Sequence, residues 1–183
     1  ETFPDSCTLS DIAFTTAEDP DLGTTAEQHY QDAIANFEQS LEVSPNDLDV
    51  QFVQTLCHRA YGEFRYRTDH VLAREQYLAA RVLLERLVYF NPQVSRYQSE
   101  MERLASAFRD LGFWQFQGNR TDLASPLENF RSAEELWAQL EARFPNQHHY
   151  RLDDTRDLIR RFQSYKSLKI RELLHAKDYS EGK

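Results

Sequence analysis

Six histidines and two cysteines are the residues of this chain that could bind a metal ion or act as nucleophiles. Cys7 and Cys57 form no CxxC pair, and no histidines stand in an HExxH arrangement, so the usual spacings of zinc ligands are missing. His148 and His149 follow Pro145 and are predicted to lie in an exposed turn rather than at a metal site. Cys7 and Cys57 could form a disulfide in an exported protein, although two unrelated thiols are the favoured interpretation.

The motifs of common catalytic sites are also missing from the sequence. The five glycines are isolated, and none belongs to a GxxxxGK phosphate-binding loop. Neither a GxSxG nucleophile motif nor the motifs of protein kinases occur. Asp153, Asp154 and Asp157 fall in the first turns of a predicted helix, where carboxylates meet the helix dipole favourably, so they are not taken as a cation site. We therefore predict no catalysis, no metal ion and no cofactor.

The charge distribution limits the kind of partner that the chain could bind. The net charge is -9, whereas nucleic-acid binding needs a basic face, so no nucleic-acid partner is expected. Residues 1–50 contain twelve Asp or Glu and no Lys or Arg, and all four lysines lie in the last 18 residues. The acidic front and the basic rear could attract each other within one chain or in a homodimer, or they could be two separately solvated faces, which is the favoured interpretation.

Membrane insertion is not expected either. No apolar run approaches the roughly 18 to 20 residues that span a bilayer, and no signal peptide is recognisable. The sequence begins at Glu1 rather than at a methionine, so we expect a processed or excised piece of a longer protein. These features do not determine the compartment, and a cytoplasmic location is favoured.

The strongest pattern in the chain is a repeat that ends at three prolines. An aromatic residue stands fifteen positions before each proline, followed by residues at steps of three, four and three. The aligned sets are Tyr30, Ala33, Phe37, Ser40 and Pro45; Tyr77, Ala80, Leu84, Leu87 and Pro92; and Phe130, Ala133, Trp137, Leu140 and Pro145. Such steps mark one face of an α-helix, and proline ends a helix because it cannot donate the next backbone hydrogen bond.

A further helix should precede the second and the third of these helices. Residues 48–67 and 95–117 have helical periodicity, and a last long helix is predicted over 149–177. Gly62 and Gly112 fall at equivalent places inside the first two, where glycine costs about 1 kcal/mol relative to alanine. Close contact between helices is the natural reason to accept that cost. Helix pairs with a period of about 50 residues are typical of helical solenoids.

These features resemble tetratricopeptide repeats, and are similar to the long-period repeats appended to some bacterial serine/threonine kinases. The matching residues are Phe108, Leu111 and Gly112 in a first helix and Ala133, Trp137, Leu140 and Pro145 in a second, and the resemblance covers about residues 26–165. It implies an all-α fold, a right-handed superhelix of antiparallel helix pairs. The implied organisation is an irregular acidic segment (1–24), a repeat domain (25–177) and a tail (178–183). Because the usual repeat has 34 residues, we expect lengthened turns at 67–73 and 119–125.

The resemblance also implies a function. In this family the first helices line a concave groove that binds a peptide. The groove positions map to Arg59, Glu63 and Tyr66; to Arg109, Phe113 and Phe116; and to Phe162, Lys166 and Lys169. The lysine and asparagine set that clamps chaperone carboxyl termini is absent, so we predict no such clamp. Alternatively, the groove aromatics only pack against neighbouring helices.

The predicted function is therefore a protein-interaction scaffold for an acidic, extended or helical peptide. The acidic N-terminal segment of the chain is one candidate ligand, within one molecule or in a homodimer. Two other hypotheses stay open at this point. The chain could be the regulatory or sensor region of a larger bacterial signalling enzyme such as a serine/threonine kinase. It could also be a small-molecule hydrolase or metal enzyme on a helical frame, which stoichiometric metal would reveal.

Overall fold

The computed structural model describes residues 20–118 and 124–181, and every regular element in these ranges is an α-helix. The helices are α1 (Pro20–Val43), α2 (Leu48–Arg65), α3 (His70–Phe90), α4 (Ser95–Gly118), α5 (Ser125–Arg143) and α6 (His149–Glu181). The predicted all-α class is therefore confirmed for the described part of the chain. Most of the acidic segment, residues 1–19 with Cys7, lies outside it, and residues 20–24 are already helical. Within the same ranges, no helix combines the length and the apolar character needed to cross a membrane.

The helix ends follow the prolines that the sequence marks. Helices α1, α3 and α5 each end two residues before the predicted proline, because proline has no backbone N–H to donate. Aspartates cap the N-terminal ends of two helices. The Asp47 carboxylate accepts hydrogen bonds from backbone N–H groups at the start of α2, and Asp69 does the same for Leu72 in α3. These caps satisfy donors that have no partner inside the helix.

The extra residues of the long repeat period do not all lie in the turns where they were predicted. The turn between α2 and α3 contains only residues 66–69, so the lengthened turn predicted at 67–73 is wrong. The extra residues extend the helices instead, which have 18 residues in α2 and 21 in α3. A connection does separate α4 from α5 near the second predicted turn, although residues 119–123 lie outside the described ranges. Helix α6 continues four residues beyond its predicted end, to Glu181.

Each helix packs against the next helix along the chain, and α2 also contacts α4. The largest buried cluster is shared mainly by α3, α4 and α5 and includes Tyr77, Phe108 and Leu136. A smaller cluster joins α1 to α2 around Tyr61, and a third joins α5 to α6 around Phe162. The most extensive interfaces are those of α2 with α3 and of α4 with α5. These are the two helix pairs in which the sequence places an internal glycine.

The residues of the repeat that ends at the prolines lie on the packed faces of α1, α3 and α5. The fully covered ones are Tyr77, Ala80, Leu84 and Leu87 in α3 and Phe130, Ala133, Trp137 and Leu140 in α5. In α1 the same face is only partly covered, since Tyr30 is buried, Phe37 half-buried and Ser40 exposed. The reason is that α1 packs chiefly on one neighbour, α2, whereas α3 and α5 lie between two helices.

Both internal glycines sit directly under an aromatic ring of the following helix. A Cβ atom added to Gly62 would stand 2.5 Å from Cδ1 of Tyr77, and one added to Gly112 would stand 2.6 Å from Cε1 of Phe130. No real side chain tolerates such an approach, so only glycine lets the ring reach the helix backbone. The prediction that these glycines mark close interhelical contacts is confirmed.

Replacement of Gly62 by alanine tests this contact. Alanine favours the helix by about 1 kcal/mol, but its Cβ overlaps the Tyr77 ring, and overpacking costs about 1–3 kcal/mol. Urea unfolding should therefore give a net loss of stability for Gly62→Ala. The double variant Gly62→Ala/Tyr77→Leu should lose less than the sum of the two single changes, because the smaller side chain makes room. Strict additivity would contradict the proposed contact.

Helix α1 covers the one cysteine in the described residues. Cys57 is buried in α2, with Sγ 4.0 Å from the Tyr30 carbonyl oxygen of α1. Burial raises the pKa of this thiol from 9.0 to about 11. Burial is also the main reason that the pKa of Tyr30 rises to about 12. Both groups are therefore held in their neutral forms at the α1–α2 interface. The pairing of Cys57 with Cys7 stays an untested prediction.

The buried thiol should be unreactive in the native protein. At pH 8 a pKa of about 11 leaves about 100-fold less thiolate than a pKa of 9.0. Ellman's reagent added to a Cys7→Ser variant should therefore modify Cys57 at least 100-fold more slowly in native buffer than in guanidinium. Because the unfolded thiol ionises first, stability that depends on Cys57 should fall as the pH rises from about 9 to about 11. Equal modification rates in the two solvents would contradict burial beneath α1.

Candidate binding surface

The predicted groove residues lie on α2, α4 and α6, which are the helices expected to be first in each pair. Helices α2 and α4 touch directly, and α4 reaches α6 through the contact of Phe116 with Phe162, whose ring centroids are 5.1 Å apart. The structure thus brings the predicted residues into two connected groups. One spans α2 and α4, and the other spans α4 and α6. Their exposure to solvent differs strongly between residues.

Arg59 is buried and bound to two carboxylates of the protein itself. Its Nη1 lies 2.6 Å from Oε1 of Glu63, and its Nε donates to Glu100, a buried residue of α4. Burial acts to lower the pKa of Arg59, but the attraction of Glu100 and Glu63 raises it overall, so the guanidinium stays charged. Burial raises the pKa of Glu100 despite the opposing effect of Arg59. Arg59 therefore holds α2 against α4, and only Glu63 of this group is partly exposed.

A cluster of aromatic and arginine side chains lies at the C-terminal end of α2, where Tyr66 is half-buried and Arg67 is exposed. Tyr66 ends α2, and its ring makes an edge contact with Trp114 of α4, with centroids 5.9 Å apart. The guanidinium carbon of Arg67 lies 5.0 Å from the Trp114 ring centroid and 5.3 Å from that of Tyr66. Its Nε also donates to the Tyr66 hydroxyl at 2.8 Å. These distances are those of cation–π contacts, which orient an arginine without neutralising it.

Phe113 precedes Trp114 in α4 and is also partly exposed. Its side chain is 40% exposed and Trp114 is 37% exposed, although both are large apolar residues. The Phe113 ring rests with one edge on Phe130 of α5, at a centroid distance of 5.4 Å. Phe130 is the ring packed on Gly112, so Phe113 is supported by the core of the helix pair. We call Tyr66, Arg67, Phe113 and Trp114 the aromatic-arginine surface.

Phe116 and Phe162 form a second group between α4 and α6, and the remaining predicted groove residues lie elsewhere on these two helices. Phe162 is buried, so it supports this group from beneath, while Phe116 is half-buried and packs on Tyr165 at a centroid distance of 5.6 Å. Lys166 is half-buried and Lys169 is exposed. On α4, Arg109 is half-buried and lies 3.3 Å from Asp110. The predicted basic character of the groove is thus partly neutralised within the protein.

Three residues of these two groups were not predicted from the sequence. Arg67 lies in the turn after α2, Trp114 stands next to Phe113, and Tyr165 lies one residue before Lys166. The repeat register assigns one groove residue per helical turn, so it selected the neighbours of the last two. Their residue types alone could have identified them, since tryptophan, tyrosine and arginine are enriched in binding surfaces.

The histidines give no indication of a metal site. Among the described residues, no group of three or more His, Cys, Asp or Glu side chains could hold a metal ion. His58 is buried, with Nδ1 2.8 Å from Oε1 of Gln76. His148, however, does not lie in an exposed turn, and that prediction is wrong. Its ring packs on Trp137 at 5.9 Å, and its backbone N–H donates to Glu141, because the chain after α5 folds back onto the helix end.

Comparisons of this chain with protein-family models, with curated proteins and with solved structures found no match.

The contribution of the buried ion pair can be measured by removing one partner. Glu100→Gln leaves the buried Arg59 charge with Glu63 alone, so we expect a loss of about 3 kcal/mol in the free energy of unfolding. The apolar double variant Arg59→Met/Glu100→Leu should recover most of that loss, because it leaves no unpaired buried charge.

Arg160→Gln is the matched control for this measurement in urea. It breaks an exposed pair with Asp157 and should cost no more than about 1 kcal/mol. If Glu100→Gln proved as mild as this control, the ion pair would not hold α2 and α4 together.

Proposed function

We propose that this chain is a protein-interaction module built from tetratricopeptide-like helix pairs in a right-handed superhelix, without catalytic activity of its own. Its partner would be a peptide or a segment of another protein. The observation that carries the proposal is the aromatic-arginine surface, where Phe113 and Trp114 are partly exposed and the guanidinium of Arg67 lies over the Trp114 ring.

The repeated contacts between helices support the superhelical arrangement. The pairs α2–α3 and α4–α5 share the same glycine and ring contact, at Gly62 with Tyr77 and at Gly112 with Phe130. Helix α2 also touches α4, so the first helices of successive pairs are neighbours. Stacking in which equivalent helices adjoin is expected of tetratricopeptide-like repeats, where such helices together line one surface.

The composition of the surface supports protein binding. Aromatic residues and arginine are the residue types that most often dominate the binding energy of protein interfaces. Burial of an exposed Phe or Trp against a partner stabilises a complex by roughly 25 cal/mol per Å² of apolar area. Neighbouring rings with 40% and 37% exposure therefore retain apolar area that a partner could cover.

The contacts that hold Phe113 and Tyr66 in place also support the proposal of a protein-binding surface. Phe113 rests on Phe130, and Tyr66 lies at the end of the helix that Arg59 ties to Glu100. Side chains already held in place lose less conformational freedom on binding, which improves affinity for a given contact area. The same buried contacts that stabilise the helix pairs therefore prepare the surface for a partner.

Partner capture from an extract of the native host tests the proposal. The protein with Phe113→Ser/Trp114→Ser should retain its helical circular dichroism and recover at least about 30-fold less partner, corresponding to about 2 kcal/mol lost at an interface centre. Val82→Ser/Tyr89→Ser is the control, since it removes two large apolar side chains from α3 that are even more exposed. Equal recovery by both variants, or the greater loss from the α3 variant, would refute binding at the aromatic-arginine surface.

A further inference from the structure

Arg67 differs from four arginines of the described structure that form ion pairs between helices. Those arginines have carboxylate partners on a neighbouring helix. The pairs are Arg65 with Glu27 at 3.4 Å, Arg74 with Glu128 at 3.1 Å, Arg81 with Glu135 at 2.8 Å, and Arg156 with Glu134 at 3.0 Å. Arg67 instead contacts two aromatic rings and the Tyr66 hydroxyl. Its charge is oriented by these contacts, but not neutralised by them.

The geometry of Arg67 leaves part of its hydrogen-bonding capacity available. The Nε atom is used, because it donates to the Tyr66 hydroxyl at 2.8 Å. A guanidinium carries five N–H donors, and the four on the two Nη atoms of Arg67 have no acceptor among the residues that the structure describes. A carboxylate matches this planar group because it can accept two parallel hydrogen bonds. Stacking on Trp114 limits the rotation of the arginine, so binding costs less conformational freedom.

The two closest acidic candidates in sequence are already engaged. Glu63 is bound to Arg59 at 2.6 Å, and the Asp69 carboxylate caps α3 through the backbone N–H of Leu72 at 3.0 Å. An acidic group of a partner therefore binds Arg67 without displacing either of these carboxylates. On the neighbouring α4, Phe113 and Trp114 offer apolar area for the residues that flank such an acidic group.

We infer that the aromatic-arginine surface recognises a protein segment in which an Asp or Glu stands close to a large apolar residue. The carboxylate binds the Nη atoms of Arg67, and the apolar side chain covers Phe113 and Trp114. This inference rests on the proposed function and specifies the chemistry of its partner. A purely apolar segment would leave the guanidinium partly desolvated without an acceptor, which is unfavourable.

Peptide selection on the full-length protein tests the inference. Random 12-residue peptides displayed on phage should be enriched in sequences with Asp or Glu within about four residues of Phe, Trp or Leu. The best of them, made synthetically with a fluorescent label, should bind the wild-type protein in an anisotropy titration. Enrichment of peptides without an acidic residue would overturn the inference, and so would a failure to enrich any peptide.

A double-mutant cycle assigns the acidic residue to Arg67. Arg67→Gln and the Asp→Asn or Glu→Gln change in the peptide should each weaken binding about 10-fold, and together by little more than either alone, because they remove one interaction. Arg67→Lys should fall between Arg67→Gln and the wild type, since lysine keeps the charge but loses the planar fork. Arg86→Gln, at an exposed arginine of α3, should bind like the wild type. Independent effects of the two changes would overturn the inference.

Two further outcomes separate this inference from the proposed function. If Phe113→Ser/Trp114→Ser abolishes peptide binding while Arg67→Gln has no effect, the carboxylate site is wrong and the interaction surface stands. If a full-length variant with Asp5, Asp11, Glu18 and Asp19 changed to amides binds the peptide about 10-fold more tightly, the chain's own acidic segment is the resident occupant and the external partner is wrong. Unchanged binding by that variant supports the external partner.

Discussion

The approach of an aromatic ring to a glycine backbone governs how the helices of this protein pair. Tyr77 lies on Gly62 and Phe130 lies on Gly112, at distances that no Cβ atom would permit. The two helices of each pair can therefore come close enough for the buried face of the second helix to fill the space between them. Because dispersion forces and apolar burial fall steeply with separation, a pair held further apart would lose much of this packing.

Close pairing also determines which charged groups are buried. Where α2 meets α4, Arg59 is enclosed with Glu63 and Glu100, and its charge is retained because both carboxylates stabilise it. A buried ion pair requires both of its partners, since either partner alone would be a desolvated charge. Here it joins two successive helix pairs, because Arg59 belongs to α2 and Glu100 to α4.

The aromatic-arginine surface contains large aromatic residues that are partly exposed and an arginine whose contacts are aromatic rings. In a folded protein, such aromatic residues are more often buried, and such an arginine is more often paired with a carboxylate. Phe113 and Trp114 remain partly exposed although core positions lie one helical step away, and Arg67 lies on rings instead of a carboxylate. Neither feature improves the packing of the helix pairs. Both are understandable as parts of a binding surface, where exposed apolar area and an oriented charge gain their stabilisation from a partner.

The presence of the helices and the three ends marked by prolines were determined by the sequence alone, because the steps of three and four residues, the prolines and the internal glycines all act locally. The close interhelical contact at Gly62 could also be predicted, because glycine is unfavourable within a helix. The burial of Arg59 and His148 could not, because Arg59 is enclosed by Glu100, 41 positions away, and His148 lies near Gln98, 50 positions away. Local periodicity shows which face of a helix is apolar, but only the packing of distant helices decides which neighbour covers each side chain. That packing alone brought Arg67 onto Trp114.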